Sequence, residues 1–128
     1  MTGGVLVDTS VWVDHFRRRN EALVDLLALD LAFTHPMIVA ELACGTPPAP
    51  RARTLTDIAT LPQTRQASLN EVRELIEREQ LFGLGCGLVD LALFASASLT
   101  PGCQLWTQDK RFRQLAQRFG IAYQPVRH

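Results

Sequence analysis

Short apolar runs alternate with longer amphipathic stretches along this chain, and that alternation predicts its elements. Val5 to Asp8 is a brief run rich in β-branched residues, suited to a buried parallel strand. Ser10 is placed to cap a helix running to about Arg19. Asn20 can cap a second helix, whose Leu23, Leu26 and Leu27 share one face. Leu31 to Thr34 offers a second strand. Pro36 suits the first turn of a helix that Gly45 and Pro47-Pro48 end, and Arg51 to Ala59 is another, with Leu55 and Ile58 on one side and Pro62 as its stop.

Further along, Pro62 to Gln66 is a weak third strand candidate. Ser68-Leu69-Asn70-Glu71 reads as a capping box for a helix striped by Leu69, Val72, Leu75 and Ile76. Leu88 to Leu99 is apolar nearly all round, which predicts a central buried helix ended by Pro101-Gly102. Gln104 to Thr107 is a fourth strand. Asp109 can cap a last helix bearing Phe112, Leu115, Ala116 and Phe119, with Gly120 at its end and Ile121 to Tyr123 as a final strand. Strands that alternate with helices imply an α/β fold with right-handed crossovers: a parallel sheet of about four to five strands covered by helices on both faces. Gly83, Gly85 and Gly87 follow no strand and make no dinucleotide fingerprint. With no repeat or linker, residues 1–128 read as a single domain.

Composition narrows the possibilities. A chain of 128 residues with 47% hydrophobic and 20% charged content is globular. Its net charge of zero gives no overall field to hold nucleic acid. Local patches at Arg17-Arg18-Arg19 and Lys110-Arg111-Arg113 are the candidates for that, though such runs also form plain solvated faces. Cys44, Cys86 and Cys103 are odd in number and lack metal or redox spacing, which suggests buried free thiols in a reducing cytoplasm. No apolar run reaches the roughly 18 residues of a membrane span, so no membrane partner is expected.

The chemistry is carried by acids set among apolar neighbours. Asp8 follows Val5-Leu6-Val7, Glu41 interrupts Ile38-Val39-Ala40 and Leu42-Ala43, Asp90 precedes Leu91-Ala92-Leu93, and Asp109 follows Leu105-Trp106-Thr107. Burying a carboxylate is costly unless it is paired or binds a cation. Asp8 and Asp109 each sit just past a strand, where open parallel sheets form their sites. Taken singly, Asp8 and Asp109 could be helix caps and Asp90 a partner of a helix dipole, while Glu41 suggests a buried residue in need of a partner. Together, two carboxylates about 4 Å apart repel by roughly 4 kcal/mol at an effective dielectric of 20, so a convergent set calls for cations or protons. An all-oxygen site suits Mg²⁺ or Mn²⁺, which can orient a water for phosphodiester hydrolysis. His15, His35 and His128 have no ligand spacing, and His35 before Pro36 reads as structural. Trp12 and Trp106 have core spacing.

These residues also resemble a family. Leu6-Val7-Asp8-Thr9-Ser10-Val11-Trp12-Val13-Asp14 is similar to the opening of a PIN domain, in particular of VapC-type toxins from prokaryotic toxin–antitoxin pairs. His35-Pro36 with Val39-Ala40-Glu41-Leu42-Ala43-Cys44-Gly45 resembles the second signature, Gly87-Leu88-Val89-Asp90 with Ala95-Ser96-Ala97 the third, and Leu105-Trp106-Thr107-Gln108-Asp109-Lys110-Arg111-Phe112 the fourth. The resemblance implies a metal-dependent endoribonuclease acting on RNA, a homodimer inhibited by a VapB-type antitoxin. It assigns Asp8, Glu41, Asp90 and Asp109 to the catalytic metal site, with Thr9, Ser10 and Thr107 supporting them. Many relatives carry another acid where this chain has Arg111, which leaves one tight ion and a guanidinium free to grip phosphate. An apolar groove between the two N-terminal helices and the Arg51 to Ala59 helix is the expected antitoxin seat. Two other readings remain open: a non-catalytic PIN-like interaction module, and an aspartyl-phosphate phosphatase, which would want a second Asp where Ser10 stands.

Overall fold

The structure is a computed structural model that describes residues 3–125. His128 lies outside the described residues. In chain order the elements are β1 (Val5–Val7), α1 (Thr9–Arg17), α2 (Glu21–Ala28), β2 (Ala32–Phe33), α3 (Pro36–Ala43), α4 (Arg51–Ala59), α5 (Leu69–Glu79), α6 (Leu88–Leu99), β3 (Gln104–Trp106) and α7 (Lys110–Arg118). The sheet runs β2-β1-β3, with both pairs parallel. β1 is buried along its whole length, as a central strand covered on both faces must be.

Among the described residues three strands stand where four to five were expected, and the other two survive as single bridges. Thr34 pairs with Gln63 beyond β2, and Leu105 with Ala122 beyond β3. On the first edge the ladder is carried by Thr34 N–H to Pro62 O and Thr64 N–H to Thr34 O. Pro62 has no N–H to extend it. On the other edge the Leu105 amide donates to Ile121 O and its carbonyl accepts from the Tyr123 amide, around a β3 of only three residues. Edges this short offer little to a wandering strand.

Local chemistry places the helices. Asn20 Oδ1 accepts from the Leu23 amide at 3.1 Å, and Ser68 and Glu71 form the reciprocal capping box of α5. Pro36 opens α3 behind an N-cap made by His35, whose Nδ1 accepts from the Met37 amide at 3.0 Å. The other nitrogen of that ring lies 3.2 Å from Ser96 Oγ, which ties α3 to α6. In α6 every residue from Leu91 to Ala97 is buried, so this helix fills the middle of the core. Trp12 and Trp106 are both core residues. The expected start of α1 needs correcting: the helix begins at Thr9 behind Asp8, and the Ser10 side chain makes no cap. All three cysteines are free, but only Cys103 is buried; Cys86 is half-buried and Cys44 exposed. Among the described residues no helix is long and apolar enough to cross a membrane.

Candidate active site

β2 and β3 flank β1 on opposite sides, so the connections from β1 and β3 leave the same end of the sheet in different directions. A crevice opens at such a point. Asp8 stands at it: its amide donates to Trp106 O at 2.9 Å, which fixes the end of β1 beside the end of β3. Its carboxylate is buried, and Oδ2 accepts from both Ser10 Oγ at 2.7 Å and Thr107 Oγ1 at 2.8 Å. Each hydroxyl in turn accepts a backbone proton, Ser10 from Gln108 N at 2.9 Å and Thr107 from Asp109 N at 3.0 Å. With both hydroxyl protons directed at Asp8, the 3.2 Å approach of the two hydroxyls is packing rather than a bond. Asp8 therefore has Oδ1 to offer a ligand.

The other acids are held in the same one-sided way. Glu41 Oε1 accepts from Thr9 Oγ1 at 2.6 Å. Asp109 Oδ1 caps α7 by accepting from the Phe112 amide at 2.9 Å. Thr9, Ser10 and Thr107 thus each touch the acid set directly. One expectation is corrected: Glu41 is exposed, although Ile38 and Leu42 beside it are buried. Consecutive helical positions face different ways, so apolar neighbours in sequence did not make Glu41 a core residue. Asp109 is exposed as well, and Asp90 is half-buried.

Asp90 registers the whole set. Its carboxyl is pushed up to about 6, first by burial and then by the charges of Asp8, Asp109 and, more weakly, Glu41. A backbone hydrogen bond at Gly87 pulls the other way. Gly87 is the N-cap of α6 and Asp90 stands three residues in, so this is the acid half of a capping box. Gly87 stood in the sequence as the first residue of the third motif, but its capping role did not; the Gly-x-x-Asp spacing at a helix start was the signal. Asp8, Asp109 and Glu41 therefore all lie within electrostatic reach of Asp90. Among the described residues, no three of them stand close enough to share one ion as placed. An all-carboxylate donor set still fits Mg²⁺ or Mn²⁺, which takes one or two carboxylates directly and reaches others through water.

Cys86 and Arg111 border the acids. Burial pushes the Cys86 thiol up, Asp90 and Asp109 push it further, and Arg111 opposes them. Among the described residues, none of the ion pairs includes Arg111. The histidines do not compete for the chemistry: His15 Nδ1 accepts from the Asn20 amide, as His35 does from Met37, and burial lowers the pKa of both. Ser10 stands where a phosphatase would want its second Asp, and it is engaged with Asp8 and Gln108.

Two cavities lie beside α1, one of them bordered by Glu41. One of about 510 Å³ is lined by Val13, Phe16, Arg17, Glu41, Leu42 and Pro48 among others. The next, of about 430 Å³, shares Phe16 and Pro48 with it and continues over Trp12, Leu27, Ile58 and Leu61.

The PIN domain family model matches residues 5–118. The chain is 41% identical over 118 residues to the protein named Ribonuclease VapC32 in Mycobacterium tuberculosis, in strain CDC 1551 / Oshkosh and in strain ATCC 25618 / H37Rv alike. The match covers 92% of this chain and 94% of that relative.

Proposed function

The chain belongs to the PIN domain family, among its VapC-type ribonucleases, and from that premise we propose that it is the toxin of a type II toxin–antitoxin pair. As such it is an endoribonuclease that hydrolyses RNA phosphodiester bonds with Mg²⁺ or Mn²⁺. The single observation behind this is that Asp90 feels Asp8, Asp109 and Glu41 at once, because carboxylates gathered in that way need a cation to stay ionised together.

Asp8, Glu41, Asp90 and Asp109 would hold the ion through the oxygens not already engaged. When bound, the cation supplies positive charge to the phosphate and acidifies a water for attack. The chain's own part is orientation. Ser10 and Thr107 fix one edge of Asp8, Thr9 fixes Glu41, and the α7 cap fixes Asp109. The backbone hydrogen bond at Gly87, at the start of α6, fixes Asp90. Arg111 is the substrate-binding cation, and one ion binds tightly without RNA. Titration of Mn²⁺ into RNA-free protein by calorimetry checks that stoichiometry.

The partner is a VapB-type antitoxin, and the paired cavities across α1, α2 and α4 are its seat. Their walls are mostly apolar, and Trp12, whose indole N–H has no acceptor among the described residues, lines the farther one. A segment lying there reaches Glu41 at the other end, where a basic side chain can pair with the acids. We read residues 1–128 as one nuclease domain, a homodimer, working in the reducing cytoplasm that three free cysteines suit.

The test is cleavage of a structured RNA by purified protein with and without Mn²⁺, repeated with Asp8→Asn. Cleavage that needs the metal and is lost in the variant is the expected result. Unchanged activity in Asp8→Asn, or full activity in excess chelator, would end the account.

A further inference from the structure

We propose that Gly85 seats the Arg111 side chain so that its guanidinium forms a phosphate subsite for RNA at the edge of the acid site. This rests on the ribonuclease reading and adds a residue pair to it. Arg111 lies in the first turn of α7, two positions after Asp109, and its side chain is laid across the loop between α5 and α6. A Cβ on Gly85 would lie 2.6 Å from Arg111 Cδ and 3.0 Å from Cζ, and closer still to Nη1. The arginine therefore occupies the space a side chain at 85 would take. What such a side chain would displace is the flexible guanidinium arm rather than any backbone.

The loop contains its own control. Gly83 has φ +74° and Gly85 φ +81°, both left-handed, but a Cβ on Gly83 would meet nothing within 4 Å. The two glycines share one backbone demand and differ in what leans on them. Only at Gly85 does the absence of a side chain serve another residue.

Arg111 held there is positioned for an anion. Asp90, Asp109 and Arg111 all act on Cys86, so the guanidinium shares the neighbourhood of two site acids. Even so, among the described residues it forms no ion pair with either. A crowd of carboxylates repels a polyanion, and a chain with zero net charge offers no general attraction to offset this. A cation at the rim supplies it locally. A guanidinium can donate two parallel N–H groups to the two free oxygens of a phosphodiester, which a lysine cannot reproduce.

The test measures binding of a fluorescently labelled single-stranded RNA in an Asp8→Asn background without divalent cation, and KM and kcat with Mn²⁺ otherwise. Arg111→Ala should weaken binding by about tenfold, flatten the salt dependence by about one unit of slope, and raise KM more than it lowers kcat. Arg111→Lys should recover only part of that. Gly85→Ala should give a loss of several fold, and Gly85→Asn, which tolerates the left-handed backbone, should do the same. Gly83→Ala should bind as the parent does, and Gly85→Ala added to Arg111→Ala should cost nothing more. Equal losses from Gly83→Ala and Gly85→Ala, or additive losses in the double variant, would show backbone strain and overturn the seat. Unchanged binding by Arg111→Ala would overturn the subsite. If the parent binds RNA as described yet never cleaves it with Mn²⁺, the ribonuclease reading fails while the subsite stands.

Discussion

Thr107 reaches two acids through one hydroxyl, donating to Asp8 Oδ2 and accepting from the Asp109 amide. Thr107→Val keeps its shape and removes both bonds. Activity should fall about 10- to 100-fold, as it does when supports of metal ligands are lost, and Thr107→Ser should restore most of it in a kcat/KM assay. Asp90 makes the opposite case for the metal-free fold: three other carboxylates oppose its charge, so Asp90→Asn should raise the metal-free melting temperature at pH 7.5 while abolishing cleavage. His35 supplies a pH dependence. Burial lowers its pKa, so the unfolded chain takes up a proton at about 6.5 before the folded one does. Stability is full above that pH and declines as pH falls toward the lowered folded value. His35→Asn keeps a cap for the Met37 amide, and its stability should decline less between pH 7 and 5 in urea melts. The acids stand out in the sequence because their neighbours are apolar. Their surroundings in the fold were less legible: Asp109 does cap a helix and Asp8 does not, a distinction set by two hydroxyls, one of which lies 99 residues away.

Elements whose signals are local were legible almost to the residue. Pro36 opens α3, the capping box opens α5, and Arg51–Ala59 is α4 as the periodicity implies. Edge strands were not, because their length depends on partners far away in sequence, and Pro62 and a three-residue β3 leave single bridges where full strands were expected. The helices also differ in what holds them. Ser68→Ala removes one exposed cap from α5 and should cost about 1 kcal/mol. Leu93→Ala empties a fully buried position in α6 and should cost about 2–5 kcal/mol by denaturant melts. If the two losses prove equal, α6 is not the centre of the core.

For the molecule as a whole, the proposed site and the proposed antitoxin seat share one surface, since the cavity beside α1 is lined by Glu41. Leu27→Glu, in the second cavity of that seat, should weaken antitoxin capture in co-expression pull-downs by about tenfold or more while leaving RNA cleavage intact, because a charge buried in an apolar contact goes unpaired. Loss of both together would mean that the groove is not a separate seat. A final consequence follows from the bonds that join Asp8 to Trp106 and Thr107. On the ribosome, Asp8 emerges 99 residues ahead of Thr107. At the usual pace of translation the interval is on the order of ten seconds. A nascent chain cannot assemble the surroundings of Asp8 during that interval, so the order of synthesis delays the proposed cutting centre and gives an inhibitor that much time to be waiting.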